Sequence, residues 1–229
     1  MTIKLYTAVG TFKQRKGPKG MTYPYVELGK QEFVLDMQEM VLWTVLNWRI
    51  LDENEAKTLY EKKLVELQLE YRKTFEACLY YLVQRGLIAE GTGDIGEDAL
   101  YDLLSNLYVV PISQNMMLRT FSFVKLTFRG MPFSTTRKLL KGDKRSYGEK
   151  KVMKIANQAI FTTAELIKCV EQDKTKFNCD EDILDALYSD EFTTSDNIAY
   201  SVRTSPACRP VLIDIVDLYL RQQIVFGRM

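Results

Sequence analysis

The chain of 229 residues contains no histidine. That absence excludes Ser–His–Asp and Cys–His catalysis and removes every imidazole metal ligand. Acid–base chemistry would fall to carboxylates, Lys, Tyr or Cys, so the sequence is read as that of a non-enzyme. Cysteine is scarce, and Cys78, Cys169, Cys179 and Cys208 are widely spaced with no C-x-x-C pair. This argues against a structural zinc site and a disulfide scaffold, and leaves reduced thiols in a cytosolic protein. No cofactor is implied. No apolar run approaches the ~20 residues of a membrane span. The start, Met1-Thr2-Ile3-Lys4-Leu5-Tyr6, lacks the apolar core of a secretion signal. The expected location is the cytoplasm, without a membrane partner. No internal repeat or low-complexity tract is expected either.

What the chain does have is charge, unevenly placed. The net charge is +1. Residues 1–30 carry net +5, 31–110 net −8, 111–154 net +9 and 155–229 net −5. Two basic segments therefore lie between acidic ones, which suits a polyanion partner or basic and acidic faces that meet each other.

Patterning predicts a strand over 3–9, a basic Gly/Pro loop at Lys13–Lys19, and a hairpin of 25–28 and 32–35 about Gly29-Lys30. Helical spacing begins after Asp36, a candidate cap, with Met37, Met40, Val41, Val45 and Trp48 on one face. Further helices are expected over 53–64 and 70–85, the latter closed by Gly86. A short strand at 87–89, a flexible turn at Gly91–Gly96, a helix over 98–106 and a returning strand at 107–112 follow. Beyond these, residues 115–129 fit either helix or strand, with a helix favoured. A long amphipathic helix is expected over 148–172 and short ones over 180–189, 196–202 and 210–225. The helices at 148–172 and 210–225 leave two outcomes open: a symmetric homodimer interface, or packing on each other within the chain. Trp43 and Trp48, five residues apart, do not share a helix face, which suits one of them to an interface.

Three helices, a glycine, a short strand, a Gly-rich turn and a returning strand resemble a winged helix-turn-helix domain over about residues 36–112. The stretch Tyr71-Arg72-Lys73-Thr74-Phe75 through Leu82-Val83-Gln84-Arg85-Gly86-Leu87-Ile88 looks like a recognition helix and its turn into a wing. The resemblance implies that Tyr71, Arg72, Lys73 and Thr74 enter the major groove of double-stranded DNA. The wing departs from the usual pattern, because Glu90, Asp94, Glu97 and Asp98 would repel phosphate. Winged helices also serve as protein-interaction modules.

Arg137, Lys138, Lys141, Lys144 and Arg145, with Lys150, Lys151 and Lys154, form the densest basic stretch and suit phosphate contact. Gly91-Thr92-Gly93-Asp94-Ile95-Gly96 matches G-x-G-x-x-G, but its strand is short and its acidic flank repels pyrophosphate. The carboxylates of 180–185 are read as helix-capping and solvated.

The expectation is a mainly α protein with a small β component. It has an N-terminal β-hairpin with a basic loop (1–35), a winged-helix-like domain (36–112) and a helical C-terminal domain (113–229). Its expected function is DNA binding, as a bacterial transcriptional regulator or mobile-element protein. The alternative is a protein–protein interaction module.

Overall fold

The computed structural model describes all residues except 1, 17–21, 71, 113–144, 191 and 229. The chain enters through β1 (Ile3–Ala8), which becomes the middle strand of a three-stranded antiparallel sheet. A hairpin follows, β2 (Thr11–Lys16) and β3 (Thr22–Leu28), extended by β4 (Gln31–Phe33). Gly29 makes the tight turn between β3 and β4 at φ +59°, a conformation few side chains tolerate. Then come α1 (Met37–Leu46), β5 (Leu51–Asp52), α2 (Glu53–Glu66), α3 (Phe75–Gln84) and β6 (Ile88–Gly93). Strands β5 and β6 flank β1, with Leu5 opposite Asp52 and Ala8 opposite Ile88.

Helix α4 (Gly96–Leu104) leads to a second set of elements. These are β7 (Tyr108–Pro111), α5 (Tyr147–Ala156), β8 (Phe161–Thr162), α6 (Thr163–Glu171), α7 (Asp180–Tyr188), α8 (Ile198–Ser201), α9 (Cys208–Leu220) and β9 (Ile224–Gly227). Here β7 is the middle strand and β8 and β9 flank it, with Tyr108 opposite Thr162 and Pro111 opposite Ile224.

The two sets are the same device built twice. In each, a strand that precedes the first helix takes the centre of the sheet. Asp36 and Ser146 cap the first helices, each in a capping box with a glutamate three residues on, Glu39 and Glu149. Asp52 and Thr162 cap the second helices in the same way, with Glu55 and Glu165. The second helices end alike, in Gln68 and Asp173 at φ +52° and +56°. The third ends in Gly86 at φ +71° and its counterpart α9 in Gln222 at φ +58°. Val9 N–H bonds the Leu87 carbonyl, and Ile112 N–H bonds the Gln223 carbonyl, both at 2.9 Å. Arg85 pairs with Glu39, and Arg221 pairs with Glu149. The expectation of no repeat is thus corrected. The repeat escapes a fixed-period reading because the segments between equivalent elements differ in length.

The mainly α expectation is also corrected. The described residues are about 47% helical and 20% strand, an α/β mix with three small antiparallel sheets and nine helices. Two strands were hidden inside expected helices. The long helix at 148–172 is broken into α5 and α6 by β8, and the last helix stops at Leu220 so that residues 224–227 can pair as β9. The C-terminal half therefore carries a sheet of its own. The basic segment at 13–16 is likewise strand β2 rather than loop.

The expected wing is absent as well. Its returning strand, β7, pairs with β8 and β9, whereas β6 pairs with β1. Gly91 and Gly93 are not a flexible turn but strand residues beneath α4. A Cβ on Gly91 would meet the Leu103 nitrogen at 2.3 Å, and one on Gly93 the Ala99 nitrogen at 2.4 Å. Glycine there lets the helix backbone lie on the strand, which also accounts for the G-x-G-x-x-G spacing without a nucleotide.

The core is in two connected clusters. One packs α1, α2 and α3 on the first sheet, with Leu42, Trp43, Leu46, Tyr60, Leu64, Leu82 and Ile88 fully buried. The other gathers Leu104, Val109, Val152, Phe161, Leu166, Ile215 and Phe226, and takes in Val9 and Ala89 of the first sheet. Helix α9 packs on both α5 and α6 within the chain. Trp43 lies in the first cluster while Trp48 packs against the second, its indole N–H on the Ile224 carbonyl at 3.3 Å. Cys78 and Cys169 are buried thiols, Cys179 is exposed and Cys208 half-buried. No helix among the described residues is long and apolar enough to cross a membrane.

Candidate nucleic-acid interface

Side chains alternate across a strand, so paired and next-but-one residues of a hairpin share a face. In β2–β3, Lys13 lies opposite Tyr25 and Arg15 opposite Tyr23. These two cations and two tyrosines therefore form one face. The other face turns Val26, fully buried, toward the core. Lys13 is held by Glu27, whose carboxylate raises the lysine's pKa above its ordinary value. Arg15 lies 3.3 Å from Glu32. Exposed pairs of this kind contribute little, because water and salt screen them, so a phosphate can compete for either cation.

The hairpin borders a cleft of about 770 Å³. Tyr23 and Pro24 form one wall, Asp36 and Gln38 at the head of α1 another, and Arg72 and Lys73 the third. Gln38 fixes the last of these. Its buried amide oxygen accepts the backbone N–H groups of Arg72 at 3.2 Å and Lys73 at 2.9 Å.

The expected groove-reading residues have separate fates. Arg72 projects into solvent at 82% exposure, with the equally exposed Glu70 at 3.6 Å. Lys73 is engaged inward, its ammonium 2.5 Å from Asp36 and 2.7 Å from Glu39. Those two carboxylates push its pKa up. Asp36 is shifted the other way: its partial burial favours the neutral acid, but the Glu39 N–H and Lys73 outweigh that and lower its pKa. Arg85 completes the network, reaching Glu39 at 3.2 Å and the Val34 carbonyl at 3.0 Å. Thr74 caps α3, its hydroxyl accepting the Ala77 N–H at 3.2 Å. The structure thus brings Arg72, Lys73 and Thr74 together and leaves Arg72 as the outward cation of the three. Tyr71, Arg137, Lys138, Lys141 and Lys144 lie outside the described residues. Arg145 sits in the second unit, where its Nε donates to the Gln223 amide at 2.5 Å.

The outward face of α3 carries Glu76, Tyr80, Tyr81 and Gln84, and the helix contains no Lys or Arg. Glu76 is paired with Lys57 at 2.7 Å. Such a face does not attract phosphate. The hairpin face was missed because Lys13–Lys19 reads as a loop. The signal was there at period two: Lys13 with Arg15, and Tyr23 with Tyr25. The chain matches no protein-family model, no curated protein and no solved structure.

Proposed function

We propose that the chain is a duplex-DNA-binding protein of the regulator or mobile-element type, acting in the cytoplasm without catalysis. In this reading each unit is a winged-helix variant in which the strand ahead of the first helix replaces the wing strand at the centre of the sheet. The observation that carries the reading is the β2–β3 face, where Lys13 and Arg15 lie opposite Tyr25 and Tyr23, with Tyr23 sharing a cleft with Arg72. Cations there neutralise phosphates, and tyrosine hydroxyls hydrogen-bond phosphate and sugar oxygens. The basic segment that holds Arg137, Lys138, Lys141 and Lys144 supports it from the sequence. In sequence it lies between β7 and α5.

The test is fluorescence anisotropy of a labelled duplex at several salt concentrations. Lys13→Ala with Arg15→Ala should weaken binding and make the log–log salt slope shallower by about 0.9 for each phosphate that is no longer neutralised. Unchanged affinity and slope in a folded double variant would remove the hairpin from the interface. A second reading, protein interaction through α3, is favoured by its exposed aromatic face, Tyr80 and Tyr81. It predicts that Tyr80→Ala and Tyr81→Ala leave DNA binding untouched and abolish capture of a protein partner.

A further inference from the structure

The first helices of the two units carry different outward faces although they are built alike. The shared capping box sets their register: Asp36 corresponds to Ser146 and Glu39 to Glu149. Met37, Met40 and Thr44 of α1 therefore correspond to Tyr147, Lys150 and Lys154 of α5. In the first unit that face is a mostly apolar groove, where Met37, Met40 and Val41 meet Leu67 at the end of α2, with Arg49 and the Glu66-paired Lys63 at its edge. In the second it is cationic. Lys150 and Lys154 are exposed one turn apart, and Tyr147 at the head of the helix is 84% exposed.

The segment after α6 adds to this face. Lys154 donates to the Thr175 hydroxyl at 3.1 Å, and Gln158 holds both the Thr175 carbonyl at 3.1 Å and the Phe177 N–H at 3.0 Å. These bonds lay residues 173–177 along α5 and bring the exposed Lys174 and Lys176 beside Lys154. Only Lys151 has an acid, Asp173 at 2.6 Å. Among the described residues, Lys150, Lys154, Lys174 and Lys176 have no carboxylate within ion-pair distance, unlike Lys57 and Lys63 of α2.

Four exposed lysines on and beside one helix, without an ion-pair partner among the described residues, leave this face cationic, and a polyanion suits it. Lysine is a compact point charge on a flexible stem, which suits phosphate contact rather than base reading. Tyr147 to Lys154 spans about 10 Å of helix axis, the rise of about three nucleotides of one strand.

We propose that the α5 face, Tyr147, Lys150 and Lys154 with Lys174 and Lys176, is a second contact on the phosphate backbone of duplex DNA. It anchors the second unit without sequence preference, and it rests on the reading of the chain as a DNA-binding protein. The same face of the first unit, having Met40 and Thr44 in place of the lysines, makes no such contact.

The experiment compares the full chain with two charge-matched triple variants by duplex anisotropy over about 50 to 200 mM salt. Lys150→Ala, Lys154→Ala and Lys176→Ala together should weaken every duplex sequence alike and make the slope shallower by about 0.9 for each phosphate left without its lysine. Lys57→Ala, Lys62→Ala and Lys63→Ala, which remove the same charge from α2, should change the slope less. Circular dichroism melts confirm that both variants are folded. Equal slopes for the α5 variant and the unmodified chain, or equal effects of the two triples, overturn the α5 contact and leave the hairpin reading standing. Failure of the unmodified chain to bind any duplex overturns both.

Discussion

The hydroxyl of Tyr219, from the last helix of the second unit, lies 2.9 Å from the hydroxyl of Thr7 in the first strand of the first. Tyr219 also accepts the Trp48 N–H at 2.9 Å, and its ring stacks on Phe226 with centroids 4.4 Å apart. One buried phenol thus joins the first strand, the end of α1 and the last helix. It ties the two units at a point that no sequence period marks.

Tyr219→Phe should therefore cost about 1–3 kcal/mol at neutral pH, because the Trp48 N–H and the Thr7 hydroxyl lose a buried partner. The effect should also depend on pH. Burial pushes the Tyr219 pKa up to about 12, above its unfolded value of about 10. A raised acid pKa means stability that is present below pH 10 and lost as pH rises toward 12. Urea titrations at stepped alkaline pH should show a shallower loss for the phenylalanine variant. An identical alkaline slope would mean that Tyr219 ionises freely and is not held at the junction.

The two Arg–Glu pairs that stand in equivalent places should not be equivalent in energy. The Glu149 side chain is 1% exposed and Arg221 is its ion-pair partner, whereas Glu39 at 9% is shared by Arg85 and Lys73. Arg221→Met strands a buried carboxylate and should cost about 3–5 kcal/mol. Arg85→Met leaves Lys73 in place and should cost less. Adding Glu149→Leu to Arg221→Met should recover much of the loss, since the penalty lies in the orphaned charge rather than in the missing attraction. Equal midpoints and slopes for the two single variants in urea would contradict this ordering.

Arg72 and Lys73 are neighbours in sequence with opposite expected outcomes. Arg72→Ala should leave thermal stability unchanged and lower duplex affinity, because its guanidinium is in solvent. Lys73→Ala should lower stability by removing a cation from Asp36 and Glu39, with its effect on affinity following only from the fraction folded. A Lys73→Ala variant that is fully folded and selectively weakened on DNA would place Lys73 in the interface instead.

Local chemistry was legible in the chain itself. The Asp36 cap, the Gly29-Lys30 turn and the Gly86 helix end are each set by one residue's own conformational preference. The apolar spacing marked that helices lie before Gln84 but not their bounds: α1 stops at Leu46, leaving Trp48 outside it, and α3 begins at Phe75 rather than at residue 70. The uneven charge of the four segments is a property of composition alone. Non-local pairing was not legible. A strand of two residues such as Phe161-Thr162 has no pattern of its own, and it exists because β7 lies beside it. The run at Gly91–Gly96 has the composition of a turn, and α4 packing on it makes it strand and helix start. Lys73 and Arg72 look alike as residues, yet Asp36 and Glu39, more than thirty positions away, engage one and not the other. The sequence by itself determined the Asp36 cap, the Gly29-Lys30 turn, the Gly86 helix end and where charge accumulates, since these depend on neighbours within a few residues. The tertiary structure decided which strand pairs with which, that the fold is built twice, and which cations face outward. Those depend on contacts closed across long loops, whose cost and geometry no short window of sequence contains.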